Sequence, residues 1–152
     1  MSVEGRLAAL GISLPTPATP VANYVTARIS GDHLYLSGHV GKRDGEVVSG
    51  RVGDALSRDD AYALARATAI DMLASVRAAL GSLDRVAGVV KVSGFINSAP
   101  DFTEQPAVLN GASDLLVEVF GVERGRHART AVGVAQLPLG AAIEVEAVFA
   151  IA

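Results

Sequence analysis

The sequence predicts an α+β fold, with helices layered on one face of a β-sheet. Two long segments place apolar residues at helical spacing, while several shorter ones alternate or run β-branched. The two kinds follow one another in the order α-ββ(β)-α-β-α-ββ, which favours a mixed layer over alternating βαβ units. The chain has 152 residues, half of them hydrophobic, and this is enough to bury a sizeable core. No repeat or low-complexity tract divides it, so residues 1–152 read as a single domain, with 1–20 as an N-terminal helix and Pro-rich tether.

Val3, Leu7 and Leu10 predict a short helix over 3–10, closed by Gly11. The following Leu14-Pro15-Thr16-Pro17-Ala18-Thr19-Pro20 cannot enter a helix or an inner strand, since each proline lacks an N–H and restricts the residue before it. Tyr24 to Ile29 and His33 to Val40 are expected strands joined by a Ser30-Gly31-Asp32 turn. In the second, Leu34, Leu36 and Val40 fall on one side, and His33, Tyr35, Ser37 and His39 on the other. Arg43-Asp44-Gly45 marks another turn before a short strand at 46–48.

Ser57-Arg58-Asp59-Asp60 fits a capping box, in which the Ser oxygen accepts the free amide three residues on and Asp60 reaches back. Tyr62, Ala65, Ala69, Met72/Leu73, Val76 and Leu80 then form the apolar stripe of a helix ending at Gly81. Val86 to Asn97 is a long run rich in β-branched residues and predicts a central strand. Pro106 suits a helix start, where its missing N–H needs no partner. From there Val108/Leu109, Ala112, Leu115/Leu116 and Val119/Phe120 continue to a stop at Gly121. The chain closes with two alternating strands around Leu137-Pro138-Leu139-Gly140, expected as a hairpin. With only two long helices, one sheet face stays uncovered and partly apolar, which predicts a homo-oligomer.

Composition narrows the function. A net charge of −3, with no basic cluster, gives no reason to expect a nucleic-acid partner. The absence of cysteine excludes disulfides, thiolate metal sites and cysteine nucleophiles. It also suits a reducing cytoplasm, the location we expect. No stretch of about 18 apolar residues predicts a membrane span, and Met-Ser-Val-Glu-Gly-Arg does not open a signal peptide. His33, His39 and His127 are not spaced as metal ligands, and no metal site is expected. Nucleophile-elbow and nucleotide-loop motifs are absent.

The closing strands carry the candidate chemistry. Arg129 is flanked by small residues that leave room for a ligand carboxylate to meet its guanidinium fork. Glu144 and Glu146 share one strand face and offer a carboxylate to hold or activate water. Counted along a hairpin, Arg129 and Glu144 stand about five rungs, or about 16 Å, apart, so one site using both needs two subunits. Tyr24, Ser37 and Asn110 are single polar residues in apolar surroundings that suit hydrogen bonding to a small substrate. Taken alone, each of these residues serves equally well in a structural bond.

Several collinear segments give the chain a family resemblance. Arg129, Leu137-Pro138 and Ile143-Glu144-Val145-Glu146 match a closing motif in order and spacing. Leu36-Ser37-Gly38, Lys91–Ile96 with Asp101-Phe102, and Leu109-Asn110 fall in register with it. From about Tyr24 to Phe149 the chain resembles the Rid (reactive intermediate deaminase) family, also called YjgF-like or endoribonuclease L-PSP. The resemblance implies a chorismate-mutase-like sheet packed on two helices, assembled as a trimeric barrel with clefts between subunits. It implies cofactor-free hydrolysis of 2-imino and enamine acids to 2-keto acids and ammonia.

By the same resemblance Arg129 binds the substrate carboxylate, Glu144 acts on water, and Tyr24, Ser37 and Asn110 line the cleft. Three motifs depart from the family's pattern. Arg129-Thr130-Ala131 replaces Arg-Ser-Cys, leaving only the backbone N–H of Ala131 to contact a ligand. Ala22-Asn23-Tyr24 replaces Gly-Pro-Tyr, and Ser37-Gly38-His39 replaces Ser-Gly-Gln. The expected function is therefore a RidA-type hydrolase of a divergent subgroup. Two alternatives are a non-catalytic protein that binds small carboxylates or keto acids and, against the charge balance, a ribonuclease.

Overall fold

The structure is a computed structural model that describes residues 1–152. Helix α1 (Val3–Ala9) precedes strands β1 (Ala27–Ser30) and β2 (His33–Val40) and a small ribbon of β3 (Lys42–Arg43) and β4 (Glu46–Val47). Helix α2 (Arg58–Leu80), strand β5 (Val86–Asn97), helix α3 (Gln105–Gly125) and strands β6 (Ala128–Val134) and β7 (Ile143–Ile151) complete the chain. The α+β class and the element order follow the sequence pattern. No helix is long and apolar enough to cross a membrane.

Local chemistry explains the boundaries. Ser57 Oγ accepts the Asp60 amide at 3.1 Å, and Gly81 ends α2 with a φ of 83° that an L side chain rarely adopts. Gly121, at φ 83°, breaks α3 where the stripe predicts a stop, although a further turn runs to Gly125. The N-terminal segment is anchored rather than loose. Val3 and Leu7 are buried, and the Val3 amide donates to Asp84 Oδ1 at 2.6 Å.

The five-stranded sheet has the order β1-β2-β7-β5-β6. Here the expected closing hairpin is overturned. β5 lies between β6 and β7, parallel to β6 and antiparallel to β7. The Leu137–Gly140 break is thus a crossover, and β6 becomes an outer strand reached through α3.

Helices α2 and α3 cover one face, where Leu34, Leu36, Val92, Ile96, Val145 and Phe149 meet Leu64, Met72, Leu109 and Leu116 in one buried cluster. The other face carries Tyr35, Phe95, Val132 and Val148, all partly or largely exposed. A second correction concerns β2. One extra residue between Leu36 and His39 bulges the strand against β7, reversing the alternation beyond it. His39 consequently turns into the core, bonded to Ser37 O at 2.7 Å and Ser75 Oγ at 2.8 Å, while Val40 leaves it.

Candidate functional site

Strand β6 and helix α3 together fix Arg129. Alternation turns Arg129 and Ala131 toward α3, and Thr130 and Val132 toward the open face. The guanidinium donates from Nη1 to Asn110 Oδ1 at 2.7 Å and to Ser113 Oγ at 3.2 Å. From Nη2 it donates to Pro106 O at 3.4 Å. Asn110 and Ser113, three residues apart, share one face of α3. All three acceptors are neutral, and none of the chain's ion pairs includes Arg129.

Behind Ser113 stands His127. Its Nδ1 lies 2.7 Å from Gly125 O, which only accepts, so Nδ1 carries the proton. Nε2 then accepts from Ser113 Oγ at 2.9 Å, and the Ser113 lone pairs remain free for Arg129. Burial holds the His127 pKa below the ordinary histidine value; the Gly125 bond opposes this and the Arg129 charge adds to it. His127 is therefore neutral at pH 7, and donation runs in one direction, from the guanidinium through Ser113 and His127 to Gly125 O. Sequence reading missed Ser113 and gave His127 no role. The available signal was the i, i+3 spacing of Asn110 and Ser113.

Glu144 leaves the opposite face of the sheet. Its strand neighbours are Val40 on β2 and Phe95 on β5. A Cβ at Gly38 would lie 2.5 Å from Glu144 Oε1, so the glycine makes room for the carboxylate. Burial raises the Glu144 pKa above the ordinary glutamate value, and the nearby Glu146 charge raises it further. Ser37 Oγ donates to Val25 O at 2.7 Å, pinning to β2 the segment that carries Tyr24. The Tyr24 ring is half exposed.

The predicted residues therefore form two groups. Arg129, Asn110 and Ala131 meet at the β6–α3 flank; Tyr24, Ser37 and Glu144 gather around β2 and β7. The register separates Arg129 from Glu144 by three residues and two strands, about 14 Å from standard sheet spacings, with side chains on opposite faces. One chain does not bring the groups together.

A family model described as "YjgF/chorismate mutase-like, putative endoribonuclease" matches residues 4–151. The chain belongs to the YjgF/L-PSP family. This YjgF/L-PSP chain is 53% identical over 149 residues to "Protein TCP17" of Trypanosoma cruzi, covering 95% of this chain and 93% of that protein. It is 34% identical over 142 residues to a 2-iminobutanoate/2-iminopropanoate deaminase of Dermatophagoides farinae, covering 92% and 94%. A crystal structure of a "putative endoribonuclease" from Shewanella oneidensis superposes with a TM-score of 0.94 at 32% identity, covering 99% and 100%. Within the YjgF/L-PSP frame this member holds no cysteine, and Ala131 stands beside Gly94 of β5.

Proposed function

We propose that this protein hydrolyses 2-imino and enamine acids to 2-keto acids and ammonia, in a cleft shared by neighbouring subunits of a homotrimer. The observation that carries the proposal is the state of Arg129. Both Nη1 protons and one Nη2 proton go to neutral oxygens. Two donors remain, Nε–H and one on Nη2, the pair that grips a carboxylate side-on. A cation held in place by neutral groups is complementary to a small anionic substrate.

Glu144 supplies the second element. A carboxylate whose pKa is raised toward neutrality is better matched to taking a proton from water than an ordinary glutamate. Water adds to the C=N carbon as Glu144 accepts its proton. Return of that proton to nitrogen gives the carbinolamine. Glu144 then carries the hydroxyl proton to the amine, which leaves as ammonia as the C–N bond breaks and the keto group forms. Arg129 orients the carbon for attack, Tyr24, Ser37 and Asn110 shape the cleft, and the Ala131 backbone N–H contacts the carboxylate. No cofactor enters this scheme.

Separation of the two groups within one chain supports a second subunit, as does the partly apolar open face. The deaminase relative supports the reaction class. The whole of residues 1–152 acts as one unit in this reading. A second reading keeps the Arg129 anchor but omits turnover, so that the protein binds a small carboxylate or keto acid; Ala131 in the position of the expected cysteine favours it.

An assay that releases 2-aminoacrylate enzymatically and follows imine decay tests the main reading. The wild type is expected to accelerate decay, and Arg129→Ala to lower kcat/KM about a hundredfold, the order of effect of losing an oriented charge-assisted contact. Equal decay with both proteins removes the enzyme reading. Keto-acid binding that depends on Arg129 without turnover establishes the second one.

A further inference from the structure

A cavity lies beside the Arg129 anchor. It has a volume of about 380 Å³, and Arg51, Ser98, Phe102, Gln105, Gly133 and Val134 are among its lining residues. Gly133 lies two residues beyond Ala131 and four beyond Arg129 on β6, hence on the same side of the strand. Gln105 directly precedes Pro106, whose carbonyl accepts from the Arg129 guanidinium. The cavity thus begins one residue from a carbonyl that braces the Arg129 guanidinium. A ligand anchored at Arg129 has this space next to it, toward the C-terminal end of β6.

The chemistry of the walls is one-sided. Arg51 makes no ion pair. The acidic residue beside Gln105, Glu104, is already engaged by Arg58 at 2.8 Å. The Gln105 amide nitrogen spends its protons on Phe102 O at 2.8 Å and Ser98 Oγ at 3.3 Å, and Ser98 Oγ donates to Ile96 O at 2.8 Å. These bonds hold the wall rigid and leave the Arg51 guanidinium, beside the neutral Gln136 amide, as its uncommitted cation. Gly133 keeps the cavity open, because a Cβ there would lie 2.8 Å from Gln105 Nε2 and 3.1 Å from Ser98 Oγ.

We propose that this cavity is a side-chain subsite in which Arg51 receives a second carboxylate, so that the preferred substrates are imino acids with an acidic side chain. The inference rests on Arg129 being the anchor for the first carboxylate. Small monocarboxylic substrates leave the subsite empty, and their binding does not depend on Arg51.

Calorimetric titration with two stable keto acids, 2-oxobutanoate and 2-oxoglutarate, separates the inference from the reading beneath it. The wild type is expected to bind 2-oxoglutarate about tenfold more tightly, the scale of one added charge-assisted hydrogen bond. Arg51→Ala is expected to abolish that preference while leaving 2-oxobutanoate binding unchanged, and Gly133→Val to do the same by filling the cavity. Arg129→Ala is expected to weaken both ligands. Equal affinity of the wild type for the two acids, or a preference that survives Arg51→Ala, overturns the subsite while the anchor stands. Binding that ignores Arg129→Ala, or no binding of either acid, overturns the anchor and the subsite with it.

Discussion

At Gly38 the missing side chain leaves space that the Glu144 carboxylate fills, and burial there favours the protonated acid. The sign of the consequence follows from linkage. With the folded pKa raised, this group's contribution to stability is complete below the ordinary glutamate value and is lost as pH rises through the raised value. Glu144→Gln is therefore expected to melt above the wild type at pH 7, with the gain vanishing below the ordinary glutamate range. Thermal melts at the two pH values check this, and a lower melting temperature for Glu144→Gln at pH 7 contradicts it. Arg129, Asn110 and Glu144 were legible because charged and amide groups stand out in apolar sequence. Ser113 and His127 were not, since their contribution is a directed hydrogen-bond chain that exists only once α3 lies against β6.

Helix α3 reaches that position through its crossing with α2. At Gly111 a Cβ would overlap the Tyr62 carbonyl of α2, so backbone meets backbone with nothing flexible to yield. Outside this contact, Tyr62 donates to Asp114 at 2.7 Å and Arg66 to Glu118 at 2.9 Å. Gly111→Ala is expected to push the helices apart and cost about 3 kcal/mol, the upper range for overpacking. A urea melt measures it, and an unchanged midpoint refutes it. Asn110, one residue away, is carried with the helix, so the same change is expected to loosen Arg129.

Elements were readable where their own residues decide them. Pro106, Ser57 and Gly81 act locally, and α2 and β5 lie where their patterns put them. Pairing was less legible. Alternation marks β6 and β7 as strands but does not encode which strand comes between them, and a short connection makes a hairpin the natural expectation. The bulge in β2 left only Gly38 as its trace, since a glycine inside a strand pattern marks such irregularities.

At the scale of the molecule, the uncovered sheet face and the two separated residue groups belong to one question. Packing Tyr35, Phe95, Val132 and Val148 against other copies would bury apolar surface. It would also allow the Glu144 group of one copy to face the Arg129 group of the next. Sedimentation is expected to give three times the 15.5 kDa chain mass. Val132→Asp, which puts a charge on that face, is expected to reduce the mass toward a single chain and abolish imine hydrolysis with it. A wild type that sediments as one chain would refute the shared cleft.

The placement of β7 has a further consequence for how the molecule is made. It is the last of the strands in sequence, yet it occupies the middle of the sheet, between β2 and β5. During synthesis, the β1–β2 ribbon and the β5–β6 layer have no strand to join them until Ile143–Ile151 leaves the ribosome. Until then each presents an unpaired inner edge, the kind of surface that recruits another nascent chain. Sheet closure is therefore a late event, and slow translation before β7 lengthens the interval in which misassembly competes with folding.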